Sequence, residues 1–271
     1  MNRRTPIALA ASVALLTVAG CGGSNDAGST GSAPAASDGG ASSTGQVSGT
    51  ITVMAAASLK ESFTRLARTF EQQHPGTKVV LSFGPSSGLA SQITQGAPAD
   101  VFASASRKNM DQVVRAGDAS APKTFAQNRM TIVTPTGNPA KVRGLNDLTK
   151  SSVKTAVCQA QVPCGVVAAK VFDNAGLAVK PVTQEVDVKA VLSKVTLGEV
   201  DAGLVYVTDA KAAGGKVAQV AIPEADNAST DYPIASLAGS ENPAAAKAFV
   251  DLVLSPAGRQ VLAGAGFAAP S

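Results

Sequence analysis

The sequence is poor in the side chains that most enzymes and metal proteins use. Its 271 residues include one histidine, His74, three cysteines and no tryptophan. So few imidazoles and thiols rule out most zinc sites and any metal centre built from several histidines. The net charge is only +4, and no cluster of Lys and Arg lies beside aromatic residues. Nucleic-acid binding is therefore poorly supported, in a chain long enough for one or two domains.

The N-terminus predicts export. The basic residues Arg3 and Arg4 precede an apolar segment at residues 7–20, and Cys21 follows it. Fourteen residues are too few to span a bilayer as a helix, but they suit the apolar region of a signal peptide. We therefore predict a signal peptide over residues 1–20.

The motif Val18-Ala19-Gly20-Cys21 resembles the lipobox of bacterial lipoproteins. The resemblance implies that Cys21 receives a diacylglyceryl group, becomes the mature N-terminus and anchors the exported protein to the outer face of the cell membrane. An ordinary secretory signal with an incidental cysteine is the alternative. Residues 21–48 consist mainly of Gly, Ser and Ala, which cannot bury enough apolar area to offset their ordering entropy. We predict a flexible tether there.

Beyond the tether, strand and helix patterns alternate, which predicts an α/β fold. Residues 51–54 are typical of a strand, and apolar residues then recur at helical spacing up to the stop at His74-Pro75-Gly76. Ser58 and Glu61 form an S-x-x-E pattern, which predicts a capping box at the start of this helix. Further strand and helix patterns continue as far as Leu254.

Three turns between a strand and a helix carry residues suited to anion binding. They contain Ser58, Ser86-Ser87 and Cys164-Gly165. The first N–H groups of a helix and the positive end of its dipole attract anions. A single serine at such a position is more often an ordinary helix cap. Several of these turns serving one cleft would form a site, and the sequence patterns alone do not bring them together.

The segment Gly84-Pro85-Ser86-Ser87-Gly88 fits the G-x-S-x-G motif of serine hydrolases, between an apparent strand and a helix. Such an enzyme needs a base to deprotonate the serine, and this fold supplies a histidine later in the chain. His74 precedes Ser86, and no histidine follows it. A serine hydrolase is therefore disfavoured. Cysteine-based catalysis lacks a base for the same reason, so we expect no enzyme.

Cys158 and Cys164 lie close together in a domain that we expect to be exported, which favours a disulfide bond. Two thiolates at this spacing could also hold a metal ion. No further cysteine or suitable histidine completes a ligand set, so the disulfide is the preferred interpretation.

Several segments, taken together, resemble the periplasmic molybdate-binding proteins of ABC importers. The resemblance covers residues 50–268 and rests on the order and spacing of the segments as much as on their residues. The segments are Ala55-Ala56-Ala57-Ser58-Leu59, Ser82-Phe83-Gly84-Pro85-Ser86-Ser87-Gly88-Leu89, Gly96-Ala97-Pro98-Ala99-Asp100-Val101-Phe102, Val162-Pro163-Cys164-Gly165, Glu185-Val186-Asp187-Val188, and Gly203-Leu204-Val205-Tyr206 with Asp209-Ala210.

This resemblance implies a type II periplasmic-binding-protein fold. In that fold two lobes, each a mixed sheet flanked by helices, hold the ligand in the cleft between them. The first lobe would comprise residues 49–131 and 226–271, and the second lobe residues 132–225. The two lobes would share the residues that contact the ligand.

The resemblance also implies the ligand-binding residues themselves. The first lobe would supply hydroxyl and N–H groups, and the second lobe would supply backbone N–H groups and one tyrosine hydroxyl. The implied set is Ser58, Ser86, the backbone N–H groups of Cys164 and Val188, and the hydroxyl of Tyr206, with Ser87 as an additional candidate. Because only the N–H of Cys164 would be used, its sulfur remains available to Cys158.

The implied residues suit the chemistry of molybdate, which is a deprotonated dianion at neutral pH and only accepts hydrogen bonds. Neutral donors at helix N-termini can satisfy such an ion without a buried cation. Phosphate is partly protonated at neutral pH, so its binding site would need a hydrogen-bond acceptor for that proton. None of the five implied positions is acidic. Sulfate shares the acceptor-only character of molybdate and remains open. Tungstate is nearly isosteric with molybdate, so we expect comparable binding.

The sequence therefore predicts a lipid-anchored extracytoplasmic receptor for molybdate and tungstate. It would deliver the ion to a membrane permease driven by a cytoplasmic ATPase, as a monomer without a cofactor. One alternative is a receptor for sulfate or another tetrahedral oxyanion. Another is a sensory lipoprotein that uses the same fold to report its ligand to a membrane partner.

Overall fold

A computed structural model describes residues 47–270 of the chain. The predicted signal peptide, the predicted lipidation site Cys21 and almost all of the predicted tether lie outside the described residues. Among the helices formed by residues 47–270, none combines the length and the apolar character needed to cross a membrane.

Strands and helices alternate along most of the described chain, so the predicted α/β class is confirmed. The strands are β1 (Gly49–Ala56), β2 (Thr77–Gly84), β3 (Val101–Ala103), β4 (Lys123–Pro135), β5 (Thr155–Cys158), β6 (Thr183–Glu185), β7 (Ala202–Tyr206), β8 (Val217–Val220) and β9 (Ser229–Ser236). The helices are α1 (Lys60–Gln73), α2 (Ser86–Thr94), α3 (Arg107–Arg115), α4 (Pro163–Asn174), α5 (Val188–Thr196), α6 (Val207–Ala213), α7 (Pro243–Leu254) and α8 (Pro256–Ala265). Short 3-10 helices lie at Ala57–Leu59, Leu145–Thr149 and Gly214–Lys216.

The strands form a mixed sheet with the order β2-β1-β3-β9-β4-β7-β5-β6, and β8 also pairs with β4. Strand β1 runs parallel to β2 and β3, and β5 runs parallel to β6 and β7. Strand β9 is antiparallel to β3 and β4, and β4 is antiparallel to β7 and β8. In α/β sheets of this kind, ligands bind outside the carboxyl ends of the parallel strands.

Strand β4 joins the two parts of this sheet. Its residues 123–129 pair with β9, and its residues 130–135 pair with β7 and β8. The strand therefore leaves the group formed by β1, β2, β3 and β9 and enters the group formed by β5 to β8. Because its backbone is continuous, both groups are anchored to the same strand.

Buried side chains form separate clusters on the two sides of this junction. One side contains an aromatic core in which the rings of Phe63 and Phe70 meet Phe249 edge to face. The other side, from residue 130 to residue 222, is rich in valine. We propose that these two sides are the lobes predicted at residues 49–131 plus 226–271 and 132–225, and we call them the first and second lobes.

The predicted capping box at Ser58 and Glu61 is wrong. Residues Ala57–Leu59 form a 3-10 turn, and α1 begins only at Lys60, without a side-chain cap. The hydroxyl of Ser58 instead lies 2.8 Å from the hydroxyl of Tyr232, a residue far away in the sequence. The serine hydroxyl that the sequence pattern assigns to the start of the helix is therefore used in a tertiary hydrogen bond instead.

Candidate functional site

The carboxyl ends of strands in both lobes, together with the starts of the helices that follow them, surround one small cavity. Its volume is about 20 Å³. Sites for drug-sized organic ligands have volumes of roughly 300–1,000 Å³, so this cavity suits a much smaller ligand, such as an inorganic ion. The lining residues are Ala56, Ala57, Ser58, Gly84, Pro85, Ser86, Ala105, Val162, Pro163, Cys164, Asp187, Val188 and Tyr206.

The structure brings the five residues implied by the resemblance together in this cavity, and it does not place the sixth there. All five are at most 4% exposed. Ser87 instead lines a wider groove between α2, α3 and α4. The residues that share the cavity are Ser58, Ser86, Cys164, Val188 and Tyr206.

The start of α4 presents one unpaired N–H group. Pro163 occupies the first helical position and has no N–H, and the next donors, Gly165 and Val166, both bond the carbonyl oxygen of Val162, at 3.0 and 3.1 Å. The N–H of Cys164, between Pro163 and Gly165, has no acceptor among the described residues. The first turn of a helix is where such donors remain unsatisfied. The donor at Cys164 therefore needs a partner from the cavity.

A disulfide bond holds this helix start against the preceding strand. Cys158 is the last residue of β5, and its sulfur is bonded to that of Cys164, with 5.7 Å between the two Cα atoms. Gly165 permits the close packing, because a Cβ at that position would lie only 1.9 Å from the carbonyl oxygen of Gln159. The disulfide bond thus holds the turn that faces the cavity, and the lack of a side chain at Gly165 allows the turn to pack closely.

Helix α5 also starts at the cavity. Its N-cap is Asp187, whose Oδ1 accepts a hydrogen bond of 2.9 Å from the N–H of Ala190. This cap satisfies the third N–H of the helix, while the N–H groups of Val188 and Lys189 have no acceptor among the described residues. The unpaired N–H groups therefore lie where the cavity meets the helix.

Helix α2 also begins at the cavity, with Pro85 and Ser86 among the lining residues. Pro85 is its N-cap residue, and a proline side chain cannot accept a hydrogen bond. The first bond of the helix runs from the N–H of Leu89 to the carbonyl oxygen of Pro85, at 3.0 Å. The N–H groups of Ser86 and Ser87 precede it and have no acceptor within residues 47–270.

Three hydroxyl groups complete the set of donors. The Oγ of Ser86 accepts the N–H of Ala105 at 2.9 Å, which leaves the serine proton free to be donated elsewhere. The hydroxyl of Tyr206 is fully buried and has no hydrogen-bond partner in the described part of the chain. Burial raises the pKa of Tyr206 well above its usual value, so the group keeps its proton. Ser58 is the third hydroxyl that lines the cavity, and its Oγ lies 2.8 Å from the hydroxyl of Tyr232.

The cavity lining includes an acidic residue that sequence reasoning did not assign to the site. Asp187 lines the cavity, although none of the five implied positions is acidic. The start of α5 at Val188 carried a signal for it, because Asp is a preferred N-cap residue immediately before a helix. Its bond to Ala190 assigns at least one of its oxygens to the helix rather than to a ligand.

Lys189, which is not part of the cavity lining, links the two lobes. The Nζ of Lys189 lies 2.9 and 2.8 Å from the two carboxylate oxygens of Glu61, and 3.0 Å from Oδ1 of Asp209. Glu61 belongs to α1 in the first lobe, whereas Lys189 and Asp209 belong to α5 and α6 in the second. Asp209 also accepts the backbone N–H of Tyr206, at 3.3 Å. Lys189 is next to the lining residue Val188, and through Asp209 it is connected to the lining residue Tyr206. It therefore links both lining segments to α1 of the first lobe.

The protonation of these groups depends on one another. Burial raises the pKa of Asp209 to about 6, and the nearby Lys189 opposes this shift. Burial acts to lower the pKa of Lys189, but Asp209 and Glu61 outweigh it and raise the pKa. Lys189 is therefore a cation whose main partner is a fully buried carboxylate.

The features expected of an enzyme or a metal site are elsewhere or missing. His74 follows the last residue of α1, with its ring 4.6 Å from that of Phe70, and it does not line the cavity. Ser86 thus has no histidine base beside it. Within residues 47–270, no group of three His, Cys, Asp or Glu residues is arranged to hold a metal ion.

Comparison with known proteins identifies the chain's relatives. The family described as "Bacterial extracellular solute-binding protein" matches residues 51–268. The molybdate-binding protein ModA of Mycobacterium tuberculosis is 46% identical over 221 residues, which cover 81% of this chain and 85% of that protein. The chain belongs to the ModA family. ModA proteins are solute-binding proteins rather than enzymes, which agrees with the expectation of no covalent chemistry and no cofactor.

Solved structures share the fold of this ModA-family chain. The periplasmic molybdate-binding protein of Azotobacter vinelandii superposes with a TM-score of 0.74 at 22% identity, covering 82% of this chain and all of that one. The sulfate-binding protein SubI of Mycobacterium tuberculosis superposes with a TM-score of 0.69 at 20% identity, covering 80% of this chain and 86% of that one. The two-lobed type II fold is thus confirmed, and it occurs in proteins named for different oxyanions.

The ion pairs of Lys189 lead to a prediction about stability. Lys189→Met leaves Asp209 buried without its cation, which should cost about 3 kcal/mol of unfolding free energy at pH 8. The loss should be smaller at pH 5, because an aspartate whose folded-state pKa is raised destabilises the folded state only as the pH rises through that pKa. Urea unfolding at both pH values measures the two losses.

Two further variants serve as controls for this prediction. Adding Asp209→Asn to Lys189→Met should restore most of the stability at pH 8, because the unpaired charge is gone. Lys247→Met breaks an exposed pair with Asp251 and should change the unfolding free energy by no more than about 0.5 kcal/mol. Equal losses at pH 5 and pH 8, or no recovery in the double variant, would contradict the assigned role of Lys189.

Proposed function

We propose that the chain is an extracytoplasmic receptor that captures molybdate, and also tungstate, in the cavity between its lobes. The observation that carries the proposal is the convergence of hydrogen-bonding groups on a cavity of ionic size. They are the unpaired N–H groups at the starts of α2, α4 and α5 and the hydroxyl groups of Ser58, Ser86 and Tyr206. The name of the Mycobacterium tuberculosis relative supports molybdate as the ligand.

The donors match an ion that only accepts hydrogen bonds. The N–H groups of Cys164 and Val188 and the hydroxyl of Tyr206 would come from the second lobe. The hydroxyls of Ser58 and Ser86 would come from the first lobe. Helix N-termini add the positive ends of their dipoles without placing a full charge in the cavity. Hydrogen bonds to an ionised group are stronger than those between neutral groups, and burial strengthens them further.

The same donors favour some oxyanions over others. Phosphate is partly protonated at neutral pH, so the cavity would need a hydrogen-bond acceptor for its proton. The carboxylate of Asp187 already bonds Ala190 through one oxygen. Sulfate is acceptor-only like molybdate but smaller, so its exclusion would rest on the spacing of the donors. Tungstate has nearly the size of molybdate and would bind comparably.

We further propose that the receptor delivers its ion to a membrane permease driven by a cytoplasmic ATPase, and that it works as a monomer. The relatives' family of extracellular solute-binding proteins supports an extracytoplasmic location. The lipobox-like motif ending at Cys21 supports an acyl anchor on the outer face of the membrane. Residues 21–48 would then act as the flexible tether between the lipid anchor and the receptor.

Ligand binding can be tested directly on the purified protein with molybdate, tungstate, sulfate and phosphate. We expect molybdate and tungstate to raise the thermal unfolding temperature, since a ligand at a hundred times its Kd adds about 2.7 kcal/mol of stability. Sulfate and phosphate at the same concentration should leave the temperature unchanged. Stabilisation by sulfate alone would overturn the ligand, and no response to any oxyanion would overturn the receptor function.

Two substitutions test the site. Ser86→Ala and Tyr206→Phe each remove one hydroxyl donor to a buried anion, so each should weaken molybdate binding by about 1.5–3 kcal/mol, or roughly ten- to 150-fold in Kd. Isothermal titration calorimetry measures the change. Ser87→Ala is the matched control, because this side chain belongs to the neighbouring groove, and its Kd should stay within about twofold of the original. Unchanged affinity in both hydroxyl variants would mean that the ion binds elsewhere.

The anchor has its own test. Cys21→Ser removes the thiol that would carry the lipid, so the variant should move from the membrane fraction to the soluble extracytoplasmic fraction and should incorporate no labelled fatty acid. Its affinity for molybdate should not change, because the tether lies apart from the cavity residues in sequence. Continued membrane association of the variant would contradict the lipid anchor while leaving the receptor function intact.

A further inference from the structure

The hydroxyl of Ser58 can face a bound ion either as a donor or as an acceptor, and the structure contains groups that select between the two. Its Oγ lies 2.8 Å from the hydroxyl oxygen of Tyr232. If Ser58 donates its proton to Tyr232, the serine presents only lone pairs to the cavity. If Tyr232 donates to Ser58, the serine proton is free for the cavity. Which hydroxyl donates therefore decides whether this wall attracts or repels an anion.

Asn128 faces the other side of the Tyr232 hydroxyl. The Oδ1 of Asn128 accepts the N–H of Arg129 at 3.1 Å, which fixes the orientation of the side-chain amide. Its Nδ2 therefore points the other way, 2.8 Å from Oγ1 of Thr208 and 3.5 Å from the hydroxyl oxygen of Tyr232. An amide nitrogen only donates hydrogen bonds. The tyrosine oxygen thus faces a donor on this side, although the contact is a long one.

This arrangement sets the direction of the neighbouring hydrogen bond. With a donor on one side of its oxygen, Tyr232 can direct its own proton toward Ser58, whose Oγ lies 2.8 Å away. Ser58 then accepts at its lone pair and directs its proton into the cavity that it lines. The donors form a directed series from Asn128 through Tyr232 and Ser58 to the ligand.

Burial makes this direction costly to reverse. Asn128 is 3% exposed, Ser58 4% and Tyr232 not at all, so bulk water does not reach the series to offer an alternative partner. Burial raises the pKa of Tyr232, and the tyrosine keeps its proton at any ordinary pH. A buried hydroxyl turned the wrong way would leave a donor or acceptor unsatisfied.

We propose that Tyr232 and Asn128 are positioning residues, which hold the Ser58 hydroxyl as a donor toward the bound oxyanion. The inference rests on the proposed function, since it needs an anion in the cavity. The inference also gives a physical cause for the proposed preference of the cavity for fully deprotonated ions. A site whose hydroxyl protons all point inward has fewer acceptors for the proton of a partly protonated ion.

A purely structural role for Tyr232 makes a different prediction. Its ring packs edge to face against those of Phe125, Tyr206 and Phe267, so its replacement could affect binding through packing alone. A packing effect would not depend on the side chain at residue 58. An effect transmitted through the serine hydroxyl would disappear when that hydroxyl is absent.

A double-mutant cycle with Tyr232→Phe and Ser58→Ala distinguishes the two roles. Tyr232→Phe keeps the ring and removes the hydroxyl, and it should raise the Kd for molybdate about three- to tenfold, the range of one net hydrogen bond. In the Ser58→Ala background, the same change should alter the Kd by less than about twofold. Titration calorimetry of the four full-length proteins measures the cycle. An unchanged Kd in the single variant, or additive effects, would overturn the proposal.

Two more variants support the interpretation of the cycle. Phe267→Leu disturbs the packing against Tyr232 without touching a hydroxyl, and its Kd should remain within about twofold of the original. Asn128→Ala removes the donor beside Tyr232, so it should weaken binding in the original protein but not in the Ser58→Ala background. It provides the same test if Tyr232→Phe fails to fold. Failure of the original protein to bind molybdate would count against the proposed function, whereas binding with additive effects would count against the series alone.

Discussion

The constraint on which the rest of this structure depends is the need to give a multiply charged anion a hydrogen-bond donor for each acceptor once water is excluded. Neutral donors can do this only if several converge, and here they come from both lobes. The starts of α4 and α5 lie in the second lobe, while α2 and Ser58 lie in the first. The continuous strand β4 carries both lobes, so the donors on the two sides are held within reach of one cavity.

The residues that line the cavity include the acidic Asp187 but no lysine or arginine, and the nearby cation Lys189 lies outside this lining. The side chain of Lys189 pairs with Glu61 and Asp209, while its backbone N–H at the start of α5 has no acceptor in the part of the chain that the structure describes. The lysine therefore balances two carboxylates that would otherwise repel an anion. Because Asp209 in turn accepts the N–H of Tyr206, the contact between the lobes and the position of the tyrosine depend on the same ion pairs.

The sequence predicted the features that depend on neighbouring residues, such as the turns at the helix starts. It did not predict the features that depend on contacts between residues far apart in the chain. Strand and helix patterns predicted the α/β class, and the resemblance implied the residues that the structure gathers in one cavity. The capping box at Ser58 failed because Tyr232, far away in the sequence, provides its partner. Asn128 left no signal for the same reason, and Asp209 belonged to a segment of the resemblance but was assigned no role. The donors at Cys164 and Val188 are backbone groups, which the identity of a side chain does not reveal.

The division of donors between lobes also bears on release. A cation buried in the cavity would hold a dianion strongly and would itself be left unpaired on departure, at a high desolvation cost. Neutral N–H and hydroxyl groups have no such penalty once water reaches them. If the lobes separate, the ion loses either the donors of α4, α5 and Tyr206 or those of α2 and Ser58, and water can replace them one by one. A site built from neutral donors on two lobes can therefore combine selective capture with release, because its affinity depends on closure rather than on a fixed charge.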